Sequence, residues 1–158
     1  MMHNKRILFL DFDGVLHPNG CASKDCFSLL PELITTITPF ELDIVISSSW
    51  RNHRSFRRLK KLFPLPFRHR LIGTTRDPLQ GAHARWKEIQ AYVREHTVVD
   101  WRALDDFDFE FPPDCRELIY CDGDRGCQAN ERALLANWLS QVTLRSSALA
   151  RAGPAARG

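Results

Sequence analysis

Apolar and polar positions fall in blocks along this chain, and the period changes from block to block. Short apolar runs at Ile7–Leu10, Leu42–Ile46, Leu71–Thr74, Trp101–Leu104 and Leu118–Cys121 have the length of buried strands. The segments between them repeat at three-and-four spacing. Leu29–Ile37 reads as a helix with Pro31 in its first turn, and Ser55–Phe63 sets Phe56, Leu59, Leu62 and Phe63 on one face before Pro64 and Pro66 stop it. Ala82–His96 aligns Trp86, Ile89 and Val93, with Arg85, Glu88, Arg94 and Glu95 mostly off the stripe. Glu131–Leu139 presents Leu134, Leu135, Trp138 and Leu139 for packing. Strand and helix in alternation predict an α/β fold, a three-layer Rossmann-like parallel sheet with helices on both faces. One domain is expected over residues 1–142. Residues 143–158, rich in Ala, Arg, Ser and Gly without apolar periodicity, read as a flexible tail.

The strand-like runs stop at reactive side chains. The first ends at Asp11 and Asp13, two carboxylates at i and i+2, followed by Gly14. A strand sends i and i+2 to one side, and a glycine permits a sharp exit, so the two acids can share a hard cation such as Mg²⁺. The competing reading is an Asp-Gly hairpin turn. The second run ends at Ser47, Ser48, Ser49, Trp50 and Arg51, and the fourth at Asp105 and Asp106. In a parallel sheet the carboxyl ends of the strands share one edge, where ligands bind, so these groups converge although far apart in sequence. Strand-end counting selects Ser47 as the hydroxyl facing such a site.

Composition narrows the class. With 158 residues, 44% hydrophobic and 26% charged, the chain suits one globular domain with a core of its own. The cysteines, Cys21, Cys26, Cys115, Cys121 and Cys127, are odd in number and lack a C-x₂-C pair, so neither a disulfide framework nor a zinc site is indicated and a cytoplasmic location is expected. No apolar stretch reaches the roughly 20 residues that cross a bilayer, so no membrane association is expected. The net charge of +3 is too mild to establish a nucleic-acid partner. Arg51–Arg70 nevertheless holds Arg54, Arg57, Arg58, Lys60, Lys61 and Arg68 with no acid, a segment able to track a polynucleotide backbone or simply to form a solvated face.

The string Asp11-Phe12-Asp13-Gly14-Val15-Leu16-His17-Pro18, together with Ile44-Val45-Ile46-Ser47-Ser48-Ser49-Trp50-Arg51 and Ala103-Leu104-Asp105-Asp106, resembles the haloacid dehalogenase-like (HAD) superfamily of aspartate-nucleophile phosphohydrolases. It is similar in particular to the HAD domains of RNA-repair (Swiss Army Knife) proteins. The resemblance implies an Mg²⁺-dependent phosphomonoesterase. Asp11 would be the nucleophile, Asp13 the general acid and base, Ser48 the hydroxyl and Arg85 the cation on phosphate oxygens, with Lys87 as competitor for the last role. Asp106, ranked above Asp105, would join Asp11 and Asp13 in holding the metal. Ser47, Ser49, Arg51 and His17 would border the substrate. The resemblance also implies a capless site, since the first two intervals between motifs hold no room for a cap domain, and hence substrates ranging from small phosphomonoesters to nucleic-acid ends. A catalytically silent phosphate- or nucleic-acid-binding module is the alternative. A receiver-type signalling domain ranks lower, because its phosphoacceptor ends a middle strand rather than the first.

Overall fold

In the computed structural model of the chain, residues 5–76 and 78–142 are described. Five strands, β1 (Arg6–Leu10), β2 (Leu42–Ile46), β3 (Leu71–Thr74), β4 (Trp101–Asp105) and β5 (Leu118–Tyr120), form one parallel sheet in the order β3-β2-β1-β4-β5. The first strand is therefore central, and β1 and β2 are buried at every position. Four helices pack on it: α1 (Leu30–Ile37), α2 (Phe56–Lys60), α3 (Ala84–His96) and α4 (Ala129–Ser140).

Strand alternation sorts the core into two layers. Leu8, Leu10, Ile44, Ile46 and Leu104 face α1, α2 and α4, meeting Leu33, Leu59, Leu135 and Trp138. Ile7, Phe9, Val45 and Ala103 face the other way, onto Ile89 and Tyr92 of α3. Phe9 sits edge-on to both Tyr92 and Trp101, with ring centroids 5.5 Å apart in each case. Helices thus cover both faces, as expected of a three-layer α/β fold. The β1–β2 interval holds a short 3₁₀ turn and α1, and the β2–β3 interval two 3₁₀ turns and α2. No cap domain occurs among the described residues.

Local expectations shift in four places. The helix expected over Ser55–Phe63 is regular only over Phe56–Lys60; beyond it Arg68 Nε donates to the Phe63 carbonyl and fixes a tighter turn. The third helix begins at Ala84 rather than Ala82, because His83 adopts a left-handed φ of 56°. The fourth begins at Ala129, set by a capping box in which the Gln128 N–H donates to Glu131 Oε2. Leu134, expected in the core, is 57% exposed: α4 buries Leu135, Trp138 and Leu139 instead. The expected tail, 143–158, lies outside the described residues.

Candidate active site at the strand ends

Register decides what meets at the carboxyl edge of the sheet. Leu10 pairs with Ile46 on one side and Leu104 on the other, and Ile46 pairs with Thr74. Backbone bonds carry the ladder one residue further: Ser47 N–H to the Leu10 carbonyl (2.9 Å), Asp11 N–H to Leu104 (3.1 Å) and Thr75 N–H to Ile46 (3.0 Å). Thr75, Ser47, Asp11 and Asp105 therefore form one row across four adjacent strand ends. By alternation they share the α3 face of the sheet.

Arg85, in the first turn of α3, reaches over this row. Its Nη1 lies 3.6 Å from Asp11 Oδ1 and 3.4 Å from Asp105 Oδ2. Lys87, the competitor, is exposed on the same helix. Burial works to lower the Arg85 pKa, but Asp105, Asp11, Glu88 and Glu110 outweigh it, and the net shift is upward. Burial first, and then Asp105, holds the Asp11 carboxyl well above the usual carboxylate range. Burial likewise pushes Asp105 up to about 6, against the pull of Arg85.

Ligand atoms of Asp11, Asp105 and Asp106 lie within 4.8 Å of one another. Asp106 Oδ2 accepts from Asn19 Nδ2 at 2.9 Å, while its Oδ1 is buried without a partner. Three crowded carboxylates, two with raised pKa and one with a bare buried oxygen, are a donor set suited to a hard divalent cation. Two glycines make room for the Asp106 carboxylate. A Cβ on Gly14, where φ is +73°, would fall 2.6 Å from Asp106 Cγ, and one on Gly123 would fall 2.6 Å from Asp106 Oδ2.

Asp13 does not join that carboxylate group through its side chain. Gly14 N–H donates to the His17 carbonyl (2.9 Å), closing a tight turn that aims the Asp13 carboxylate outward. His17 Nε2 lies 2.8 Å from Asp13 Oδ1, and Trp50 Nε1 donates to Oδ2 at 2.8 Å. The Phe27 N–H donates to His17 Nδ1, which leaves the ring proton on Nε2 for Asp13. His17 is thus a buried brace for Asp13. His17, Cys21 and Cys26 also bring ligand atoms within 4.8 Å of one another, but both imidazole nitrogens are already engaged.

The serine run divides. Ser47 Oγ is buried in the row with no partner, whereas Ser48 Oγ accepts the Trp50 N–H and caps the following 3₁₀ turn. Ser49 is exposed and lines the cavity beside Arg85. Arg51 is not a free cation: its guanidinium donates to Glu88 Oε2 (2.7 Å) and to the Ser48 and Arg76 carbonyls, with both charged side chains about nineteen-twentieths buried. Glu88, expected off the apolar stripe, is buried because it also accepts the Leu79 N–H. Sequence reading missed Glu88, Asn19, Gly123 and the Trp50 bond to Asp13; of these only the tryptophan, three residues beyond Ser47, carried a positional hint. Of the basic segment, Arg54 lies over the Trp50 ring and Arg68 is spent on carbonyls. Arg57, Arg58 and Lys61 are exposed.

The buried side-chain polar atoms without a hydrogen-bond partner among the described residues are Ser47 Oγ, Thr75 Oγ1, Arg85 Nη1, Asp105 Oδ2 and Asp106 Oδ1. All belong to this edge. Unsatisfied buried groups are costly and rare, so their concentration here marks a place built for something other than the chain itself.

No solved structure matches the chain. A 66-residue stretch is 38% identical to a TATA box-binding protein-associated factor of RNA polymerase I from Rattus norvegicus, covering 41% of this chain and 8% of that protein. The chain therefore spans less than a tenth of that relative. The family described as the HAD domain in Swiss Army Knife RNA repair proteins matches residues 7–131, from β1 into the first turn of α4 and across the whole row of strand-end residues. The chain belongs to this family of HAD domains.

Proposed function

We propose that this domain is an Mg²⁺-dependent phosphomonoesterase acting through an aspartyl-phosphate on Asp11, with nucleotides or nucleic-acid ends as substrates. The observation that carries the reading is the convergence, among the described residues, of the unpartnered buried side-chain polar atoms on one strand-end edge beside a carboxylate trio. A terminal phosphate offers what those atoms lack: acceptors for Ser47 and Arg85, and a reason to hold a cation near Asp106. The family's description adds a link to RNA repair.

Asp11, Asp106 and the Asp13 backbone carbonyl would hold Mg²⁺, with Asp105 beside them, and the cation supplies the positive charge that lets a phosphate dianion approach a carboxylate. An Asp11 oxygen attacks phosphorus, the bond to the leaving oxygen breaks, and Asp13 gives that oxygen a proton. Water then attacks the phosphorus of the aspartyl-phosphate, Asp13 takes the water's proton, and inorganic phosphate leaves with Asp11 restored. His17 and Trp50 orient Asp13 for both transfers. Ser47, rather than Ser48, is the hydroxyl on the non-bridging oxygens, since its Oγ stands unpartnered in the row with Asp11. Arg85 stabilises the charge developing there.

The test is phosphate release from an aryl phosphate and from phosphorylated oligonucleotides, with and without Mg²⁺. Turnover that disappears in Asp11→Asn supports the proposal; no turnover, or turnover indifferent to Asp11→Asn, overturns it. One observation favours the silent binding module: both Asp13 oxygens are engaged, by His17 and by Trp50. Phosphate-ligand binding without hydrolysis would establish that second reading.

A further inference from the structure

A groove leaves the site over the ends of β2 and β3. One cavity, about 230 Å³, is lined by Arg85, Ser49 and Phe107 among others, and a second, about 540 Å³, by Thr74, Thr75 and Arg76; both include Arg51, Asn52 and Pro78. They form one continuous depression from Arg85 outward over the ends of β2 and β3. At its far end Thr75, 1% exposed, belongs to the lining, and its buried Oγ1 has no hydrogen-bond partner. Beside it Arg76 is 79% exposed, paired with Glu95 at the surface, an interaction of the kind that exchanges at little cost.

Charge is distributed unevenly about the row. The β4 and β5 ends carry Asp106, Asp108, Asp122 and Asp124 against one exposed Arg125, a net acidic flank, and Glu110 borders the groove on that side. The β2–β3 flank carries Arg76 and, further along, exposed Arg54, Arg57 and Arg58. Thr75 stands two strands from Asp11, a separation of about 10 Å at the usual strand spacing.

We propose that the Thr75 end of this groove is a second anion subsite, formed by Thr75, Asn52 and Arg76, that binds an internucleotide phosphate while the terminal phosphate lies at Asp11. The substrate is then a nucleic-acid strand of at least two nucleotides rather than a mononucleotide. This rests on the phosphatase reading above. Thr75 gains the acceptor it lacks, and Arg76 exchanges a solvent-exposed carboxylate for a phosphodiester. Arg51, already neutralised by Glu88, shapes the floor between the two phosphates.

The experiment measures binding to the Asp11→Asn protein in Mg²⁺ of three probes: a mononucleotide, a dinucleotide with the same terminal phosphate, and that dinucleotide with a neutral methylphosphonate linkage. The expected result is dinucleotide binding at least about tenfold tighter than the mononucleotide, as one charge-assisted hydrogen bond provides. The gain should vanish with the neutral linkage and in Thr75→Val and Arg76→Ala, with mononucleotide affinity unchanged. Equal affinity for mono- and dinucleotide, or a gain that survives both substitutions, overturns the subsite alone. Failure of every phosphorylated probe to bind removes the phosphatase reading and the subsite with it.

Discussion

Gly123→Ala tests the metal centre without removing any of its proposed ligands. A Cβ there would stand 2.6 Å from Asp106 Oδ2, also crowding Asn19 Nδ2, which bonds that same oxygen. Ordinary contact begins near 3.4 Å, so the carboxylate must retreat by most of an ångström or the Asn19 bond must break. Ligand positions are held to about 0.2 Å in metal sites, and loss of a supporting partner typically costs 10–100-fold in metal affinity, about 1.4–2.7 kcal/mol. Gly14→Ala crowds the same carboxylate but adds left-handed backbone strain, so Gly123 is the cleaner probe. The assay is Mg²⁺ titration followed both by phosphate release and by thermal shift. The midpoint should rise at least about tenfold, while overpacking costs the fold only about 1–3 kcal/mol. A folded variant whose Mg²⁺ midpoint stays within about twofold of the parent, less than about 0.5 kcal/mol, would refute Asp106 as a ligand.

Further outcomes follow from the same geometry. Asp105, held near 6, keeps its proton in the native state over pH 4–6 while the unfolded chain loses it, so the metal-free protein should lose stability by a few kcal/mol as pH rises through that window. Melting temperatures taken across pH 4–7 should fall, with the largest Mg²⁺-induced rise at pH 7; a flat, metal-indifferent profile contradicts this. Glu88→Ala strands the buried Arg51 guanidinium and should cost about 3–5 kcal/mol in chemical denaturation, and Glu88→Gln less. Trp50→Phe keeps ring packing against Phe12 and Phe27 but removes the N–H on Asp13, so kcat should fall about tenfold with KM unchanged, whereas an unchanged kcat would dismiss the bond.

The sheet was legible because each central strand is an apolar run with a polar stop, and parallel topology turns those stops into neighbours. That is how Asp11, Asp105 and Asp106 could be grouped from positions nearly a hundred residues apart. Arg85 was legible only as a cation near a helix start, and the left-handed His83 is what fixes that start. Glu88 was not, because a charged residue on a helix reads as solvated unless its partner, Arg51 on a distant loop, is known. Ser47 and Ser48 look alike in sequence; in the fold Ser48 Oγ accepts the Trp50 N–H, whereas Ser47 Oγ lies in the row without a partner. Asn19 and Gly123 lie in loops without periodicity, and their support of Asp106 arises from the Asn19 N–H bonding the Gly123 carbonyl at 2.8 Å, a contact between the β1 and β5 loops.

If the row of strand-end residues makes Asp11 a nucleophile toward phosphorus, the phosphoryl group must rest on that carboxylate during turnover. Rapid acid quench of the protein acting on a phosphorylated oligonucleotide, with reductive trapping of any acyl phosphate and peptide mass analysis, reads this step itself. Modification is expected at Asp11, dependent on Mg²⁺ and absent in Asp11→Asn. Phosphate release with an unmodified Asp11, or a label on another residue, would assign the chemistry elsewhere.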